Sequence, residues 1–582
     1  MKFPIFTLLF FLSFSLLSQT NFRMTNPLVE DILKGNYDPQ VYESDSVILD
    51  PKVIFQAIQD QVEPDRLRSY LETLASFETR HSSSDTLSPT TGIGAARRWI
   101  FDQFATYGSA TPSSEGISRL QATFFQFDGS ICGVEQHRNV CAVLPGSQTE
   151  DKSIVIVEAH MDSRCEDECD ITCIAQGMED NGSGTAMVME LARVLSQFQF
   201  ERTIVFMLTT GEEQGLFGAE AFVNYCMDED IEIHAVFNND IVGGILCGKT
   251  SSPPSCPFEG AIDSTQVRLF SSGKIHRQFC RWIKLEYMEE TLPLVEVPMM
   301  LSMMNVADRG GRGGDHLPFT RRDYRSMRFT SSYENGNASI IASYVDHQHS
   351  SRDVLGVDTN GDGELDSLFV DFNYLSRNTV INGVSISAAA INPQQPVFSF
   401  EVEPDSILWT VEDPLQLNHY RISRRTKSID YDTIFTFTGV SSGRVPRYAT
   451  TTLFDEELLS GASVDNDGIE SFFSEEDVFL SISATDELST YKGAAFLLQN
   501  VSNPFRSSTV ISYQLTSLNK INRLEIELTD MLGRQVHRFD GPKLLGINSF
   551  SYYPSPGMQG TYNYSLLING KVTDTKRMVV MH

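Results

Sequence analysis

Residues 153–162 read Ser-Ile-Val-Ile-Val-Glu-Ala-His-Met-Asp, an apolar run that ends on His160-Met161-Asp162. Further on comes Glu179-Asp180-Asn181-Gly182-Ser183-Gly184, then a helical run from Thr185 to Leu195. A second apolar run, Thr203 to Leu208, ends on Thr209-Thr210-Gly211-Glu212-Glu213. Short apolar runs of this length predict buried strands. Each strand delivers imidazole or carboxylate groups at its C-terminal end, where open α/β sheets place their sites. Histidine and carboxylates together suit zinc, and a spare carboxylate beside them suits a general base.

Outward from this stretch the alternation continues. Helical spacing is read over Val53 to Leu74 and from Gly92 through Phe104. Strands are read at Phe124 to Phe127, Asn139 to Leu144 and Ile233 to Phe237, the last ending on Asn238-Asn239-Asp240. A helix is expected near His276 to Leu285, and a closing helix from Phe372 to Ala390. The pattern predicts an α/β fold: a mixed, mostly parallel sheet with helices on both faces. Near Asn392 the character changes. Pro393 and Pro396 mark a linker, and short alternating runs with turn signals then predict two all-β sandwich modules.

The ends read as follows. Lys2 and the apolar run Phe3 to Leu17 make residues 1–18 a signal peptide, shorter than the about 20 apolar residues a membrane span needs. Residues 19–55 are polar, without a long period, and read as an N-terminal extension. The catalytic region spans 56–392, and the β modules 397–495 and 496–582.

The formal net charge is −31 over 582 residues, with no basic block. Nucleic acid is thereby excluded as a partner, because binding it rests on phosphate neutralisation by Lys and Arg. The nine cysteines all lie in the first half and fit an exported, oxidising setting. Cys132 with Cys141, and Cys247 with Cys256, are close enough in sequence to close short loops. Cys165, Cys169 and Cys173 read as a disulfide-stapled loop, with a soft-metal site as the competing reading.

The set His160-Met161-Asp162, Glu179-Asp180-Asn181-Gly182-Ser183-Gly184, Gly211-Glu212-Glu213-Gln214-Gly215-Leu216-Phe217-Gly218, Asn239-Asp240 and His349 resembles the di-zinc exopeptidases. That family includes secreted leucine aminopeptidases, glutamate carboxypeptidase II and glutaminyl cyclases. The resemblance implies that Asp180 bridges two zinc ions. His160 and Asp240 complete one position, and Glu213 and His349 the other. It also implies that Glu212 is the general base and that Asp162 orients His160. Asp315-His316 resembles a further family motif, in which His316 stands near the site and hydrogen-bonds substrate or oxyanion. His347 competes with His349 as the last ligand. Taken singly, Asp180 reads as a cap, Glu212-Glu213 as a solvated helix start and His349 as a surface histidine. Their joint order makes the metal reading the better one.

The activity implied is a secreted zinc aminopeptidase acting on peptide substrates. A carboxypeptidase, a glutaminyl cyclase and a non-catalytic surface binding protein are the alternatives. Three other features stand apart. Asp358, Asn360, Asp362, Glu364 and Asp366, around Gly361 and Gly363, resemble the start of a calcium-binding loop; the competing reading is an acidic surface turn. Residues 397–495 resemble a fibronectin type III-like sandwich. Residues 496–582, with Asp530-Met531-Leu532-Gly533-Arg534 and Gly560-Thr561-Tyr562, resemble the C-terminal sorting domain read by the type IX secretion machinery. A protein so addressed is exported, to the medium or the cell surface.

Overall fold

A computed structural model describes residues 19–581 apart from 45–47, 49, 149, 247–260, 309–312, 334–346, 366, 404, 413–417, 427, 449–455, 481–494, 502, 516–520, 522, 532, 545 and 556. The signal-peptide segment, Cys247, Cys256 and Asp366 lie outside the described residues. Among the described residues, no helix is long and apolar enough to cross a membrane.

Nine strands build the main sheet: β1 (Thr20–Met24), β2 (Gln121–Ile131), β3 (Val134–Leu144), β4 (Ile154–His160), β5 (Thr203–Thr209), β6 (Ile233–Asn239), β7 (Gln266–Phe270), β8 (Met300–Met303) and β9 (Ser326–Ser331). Their spatial order is β1-β2-β3-β5-β4-β6-β9-β7-β8. β5, β4, β6 and β9 run parallel at the centre. The β1-β2-β3-β5 side and the β9-β7 pair are antiparallel. The sheet is therefore mixed, with its parallel part where both faces are covered. Every residue of β4 and β5 is buried, as such strands require.

The helices divide between the faces. They are α1 (Pro27–Leu33), α2 (Pro51–Gln61), α3 (Pro64–Ala75), α4 (Gly92–Ala110), α5 (Ser183–Leu195), α6 (Phe217–Asp228), α7 (Lys274–Glu286), α8 (His316–Thr320) and α9 (Phe372–Ile391). On one face α2, α3, α4, α5, α7 and α9 share a buried cluster with Val155, Val157 and Ala159 of β4, which α5 and α9 meet directly. On the other, α1, α6 and α8 pack against Ile154 and Ile156. The alternation along β4 is the period of a strand with two covered faces. From β4 the chain crosses to β5 on one side, then returns to β6 on the other. The C-terminal end of β4 is thus a topological switch point, where the crevice of such a sheet opens.

Residues 19–33 do not form a polar extension. β1 joins the sheet edge against β2, and Val29, Ile32 and Leu33 of α1 enter the second core. An edge strand of five residues with most side chains exposed carries no sequence period, which is why it reads as loop.

The first β module comprises a three-stranded and a four-stranded antiparallel sheet between Phe398 and Leu480. Trp409, Tyr420, Ile422 and Val445 lie in its core. It is fused to the catalytic body: Ala462, Ile469, Phe472 and Phe473 belong to the same buried cluster as α7. Phe472 sits edge-on to Trp282 at 4.8 Å and to Phe279 at 5.4 Å. Residues 495–580 form a second pair of antiparallel sheets around a core of their own, including Tyr513, Ile526, Tyr564 and Met578.

Among the described residues there are two disulfides, Cys132–Cys169 and Cys165–Cys173. The expected Cys132–Cys141 pair does not form. Cys132 lies at the β2–β3 turn, whereas Cys141 is deep in β3 opposite Thr123, buried with a free thiol. The stapled-loop reading of Cys165, Cys169 and Cys173 is the one the structure has.

Candidate metal centre

His160 is the last residue of β4, with its ring buried. Its Nδ1 lies 3.1 Å from the carbonyl oxygen of Asp162. A carbonyl only accepts, so Nδ1 carries a proton and donates it. Nε2 then faces Asp180 Oδ1 at 3.3 Å, Asp240 Oδ1 at 3.4 Å and Glu212 Oε2 at 3.9 Å. Three carboxylates around one ring nitrogen demand a cation there, either a proton or a metal. Burial opposes a charged ring, but Glu212 and Asp240 raise the His160 pKa well above the usual imidazole value.

Asp180 lies in the turn before α5 and is buried. Asp353 fixes its position, accepting from the backbone N–H groups of Glu179 and Asp180 at 2.9 Å each. Asn181 extends the clamp. Its Oδ1 accepts from Gly184 and Ile241, and its Nδ2 donates to the carbonyl of Asn239. This ties the start of α5 to the end of β6, beside Asp240. A Cβ on Gly184 would lie 2.3 Å from Asn239 O, so only glycine permits the approach.

On the other side of Asp180, its Oδ2 lies 3.0 Å from His349 Nε2, and Glu213 Oε2 lies 3.2 Å from the same nitrogen. Burial opposes the charge on Asp180, yet His160 and His349 hold its pKa well below the carboxylate range. Burial acts against Glu213 too, but His349 brings it down to about 2. Glu212 is different. Burial pushes it well above the ordinary carboxylate value, with Asp240 and Glu213 adding to the rise.

Among the described residues, ligand atoms converge within 4.8 Å in His160–Asp180–Glu213 and in His160–Glu212–Asp240. The two groups share His160, and His349 joins through Asp180 and Glu213; two imidazoles and four carboxylates so gathered fit zinc as a donor set. His347 stands apart: its Nδ1 lies 3.0 Å from Arg352 O and its ring 4.5 Å from Phe369.

The profile of peptidase family M28 matches residues 139–249. A probable zinc metalloprotease of Leptosphaeria maculans is 31% identical over 364 residues, which cover 60% of this chain and 78% of the relative. One from Pyricularia oryzae is 30% identical over 367 residues, covering 59% and 68%. The chain belongs to peptidase family M28. Among solved structures, the LapA aminopeptidase of Legionella pneumophila is similar over 60% of this chain and 78% of its own, at 16% identity and a TM-score of 0.41.

In this M28 peptidase, Asp162 and His316 are engaged as follows. Asp162 reaches the His160 ring through its carbonyl, while its carboxylate stands 3.7 Å from Nδ1. That carboxylate is engaged elsewhere. It accepts from Ser82 Oγ at 3.0 Å and from the N–H groups of Glu212 and Glu213 at 3.4 and 3.3 Å. Asp162 therefore shapes the turn that carries the base. His316 presents no spare donor: its Nε2 donates to Ala307 O at 2.9 Å, and burial lowers its pKa, keeping the ring neutral. A neutral ring so engaged offers only an acceptor at Nδ1, which does not suit an oxyanion.

In the acidic loop, residues 358–364 hydrogen-bond to one another. The loop lies between two short paired strands, β10 (Gly356–Val357) and β11 (Ser367–Leu368). Asp358 accepts from Gly361 and Gly363, Asn360 from Asp362, and Asp362 from Glu364. Asp358, Asp362 and Glu364 are in neither converging group.

Three arginines and Asp353 were missed. Arg80, wholly buried, donates to the carbonyls of Met161, Gln176 and Gly177 and so closes the loop between His160 and Asp180. Arg328 donates to Asp240 Oδ2 at 3.0 Å and to Asp308. Arg164 joins Glu213 and His349. An isolated arginine carries no periodic signal. Asp353, however, stands four residues after His349, close enough for a local reading to find it.

Proposed function

We propose that this M28 peptidase is a secreted, zinc-dependent aminopeptidase, releasing N-terminal residues from peptides. The observation that carries the proposal is the pair of imidazole–carboxylate groups sharing Asp180, with the Glu212 carboxylate beside them. His160 and Asp240 would hold one zinc, Glu213 and His349 the other, and Asp180 both. Zinc, when bound, supplies Lewis acidity towards the scissile carbonyl and lowers the pKa of water.

The chain's own groups do the rest. Glu212 takes the proton of the attacking water at its carboxylate and hands it to the leaving amine as the C–N bond breaks. Asp162 holds the backbone of Glu212 and Glu213, so the base and its neighbouring ligand keep one relative position. Asp353 and Arg80 hold the loop that presents Asp180. The enclosing walls leave Glu213 and His349 buried, which limits bulk water around the reacting bond.

The amine-end specificity rests on the likeness of the five motifs to secreted aminopeptidases. Export is supported by the N-terminal apolar run and by two disulfides beside the site, a bond type of oxidising compartments. The separately cored module at 495–580 is compatible with a sorting address. Glu212→Gln tests the mechanism. It should lower kcat by about 10²–10⁴-fold, the usual contribution of a general base, with zinc content unchanged. Undiminished turnover would remove Glu212 from the reaction.

A further inference from the structure

A cavity of about 740 Å³ opens at the other end of the sheet from the metal centre. Its walls include Ile233 and His234 at the start of β6, Met227 near the end of α6, Tyr324 and Arg325 just before β9, and Phe472 of the first β module. A space of this size holds a small organic molecule. His234 and Asp240 stand at opposite ends of β6. At about 3.3 Å per residue they are roughly 20 Å apart, so an occupant of this cavity does not touch the zinc ligands.

Two arginines stand at this end of the sheet, and only one is neutralised. Arg202 is buried and meets Asp151 Oδ2 at 2.7 Å. Arg325 is half-buried; its Nη2 donates to Gln395 Oε1, and its guanidinium carbon lies 5.0 Å from the centre of the Phe472 ring. Among the described residues no carboxylate forms an ion pair with Arg325. Burial, with Arg202 adding to it, brings its pKa down to about 10; Glu475, which opposes the fall, is exposed and meets Lys274 at 3.9 Å. One charge in the cavity wall is thus left for an anion from outside, and a guanidinium suits a carboxylate in two-point contact.

His234 offers the opposite kind of group. Asn392 Oδ1 lies 3.0 Å from Arg202 Nη1 and 2.9 Å from His234 Nε2. A guanidinium has only donors, so the oxygen accepts from it, and His234 Nε2 donates to the same oxygen. Burial, then Arg202 and Arg325, hold the His234 pKa well below the imidazole value. The ring is neutral, and its Nδ1 keeps a lone pair. Asp230 and Glu232 line the same cavity and are exposed. They disfavour a dianion such as phosphate and favour a ligand that brings a cation together with its anion.

We propose that this cavity is a binding site for a free α-amino acid with an apolar side chain: its carboxylate pairs with Arg325, its ammonium meets the acceptors His234 Nδ1, Asp230 and Glu232, and its side chain lies among Met227, Tyr324 and Phe472. Gln395 belongs to the linker and Phe472 to the first β module, so the occupant touches both of these and the catalytic body. Binding there stabilises the folded chain as a whole. The site is independent of the zinc reading, and a failure of peptide hydrolysis would leave it standing.

The test is isothermal titration of the zinc-loaded full chain with L-leucine, with the thermal midpoint followed in parallel. Wild type should bind with a Kd of about 1 mM or tighter, and leucine should raise its midpoint. N-acetyl-L-leucine, which lacks the ammonium, and L-leucinol, which lacks the carboxylate, should each bind at least about tenfold more weakly. Arg325→Met should weaken leucine binding at least about tenfold and abolish the midpoint shift. Met227→Trp, which fills the cavity from an exposed position on α6 and leaves Arg325 in place, should do the same, and it serves if the Arg325 variant does not fold. No leucine binding by wild type would overturn the proposal. So would leucine binding that both variants leave unaltered, which would place the ligand elsewhere. Inorganic phosphate bound as tightly as leucine would overturn the assignment to an amino acid.

Discussion

Two of the places where the molecule gathers charge treat it differently. At the switch point, Asp180, Glu212, Glu213 and Asp240 crowd around two imidazoles, within 3.0–3.9 Å of a ring nitrogen. At the seam between α7 and the first β module, carboxylates meet cations one by one. Glu476 meets Arg281 at 3.0 Å and Arg425 at 2.5 Å, Asp430 meets Lys284 at 2.7 Å, and Glu289 meets Arg421 at 2.9 Å. Around these pairs stand Trp282, Phe279 and Phe472. The Glu476 pairs lie inside the seam and those of Asp430 and Glu289 at its rim; pairs matched in this way fix the register of two surfaces, while the apolar area around them supplies the stabilisation. A cluster of one sign, with shifted ionisation and ligand spacing, marks chemistry instead. The same residue types are functional in one place and adhesive in the other: at the site the carboxylates converge on two imidazole nitrogens, although Arg328 and Arg164 also reach Asp240 and Glu213, whereas at the seam their partners are arginine and lysine.

The contrast can be broken from either side. Asp180→Asn strikes the site: zinc affinity should fall by at least about 100-fold, more than the loss of a ligand's outer partner costs, with the thermal midpoint of the metal-free protein little changed. Retention of wild-type zinc content would remove Asp180 from the ligand set. Trp282→Ala strikes the seam. It should destabilise the protein by about 3–5 kcal/mol in denaturant titration, as emptying a large buried aromatic site does, while the folded fraction keeps its zinc. A loss of zinc without loss of stability would show that the seam and the site are one unit.

The smallest effect sharpens the comparison. The exception to matching at the seam is Glu470, which burial raises to about 8 although Arg421 Nη1 lies 3.2 Å from its Oε1. Folded, it keeps its proton up to about pH 8; unfolded, it loses it near the ordinary glutamate value of 4.5. The folded form therefore binds more protons between these values, and stability falls as pH rises through that window. Denaturant midpoints measured between about pH 5 and pH 8 should decline less in Glu470→Gln than in wild type. Equal slopes would mean that Arg421 keeps Glu470 ionised throughout.

The strands that end in His160, Glu212 and Asp240 were legible because an apolar run stopped by polar ligands is a local pattern. The gathering of those ends into one site followed from parallel alternation. Asp180 and His349 came from the motif order, and the structure brings both to the same place. What escaped the sequence acts across distance along the chain. Arg164 and His349 are 185 residues apart. The Trp282–Phe472 contact joins a helix and a strand-rich module that the Pro393–Pro396 linker had seemed to separate. β1 was lost for the opposite reason: a five-residue edge strand with one buried side chain has too little pattern to read. The cysteine pairing failed because sequence proximity says nothing about which side of a hairpin a thiol faces.

The most direct test of the account uses the zinc-loaded protein and two peptides, one with a free N-terminus and its N-acetylated twin, with products followed by mass. The account predicts loss of a single N-terminal residue from the free peptide and none from the acetylated one. Trimming of both from the C-terminus, or no cleavage of either by zinc-loaded protein, would contradict it.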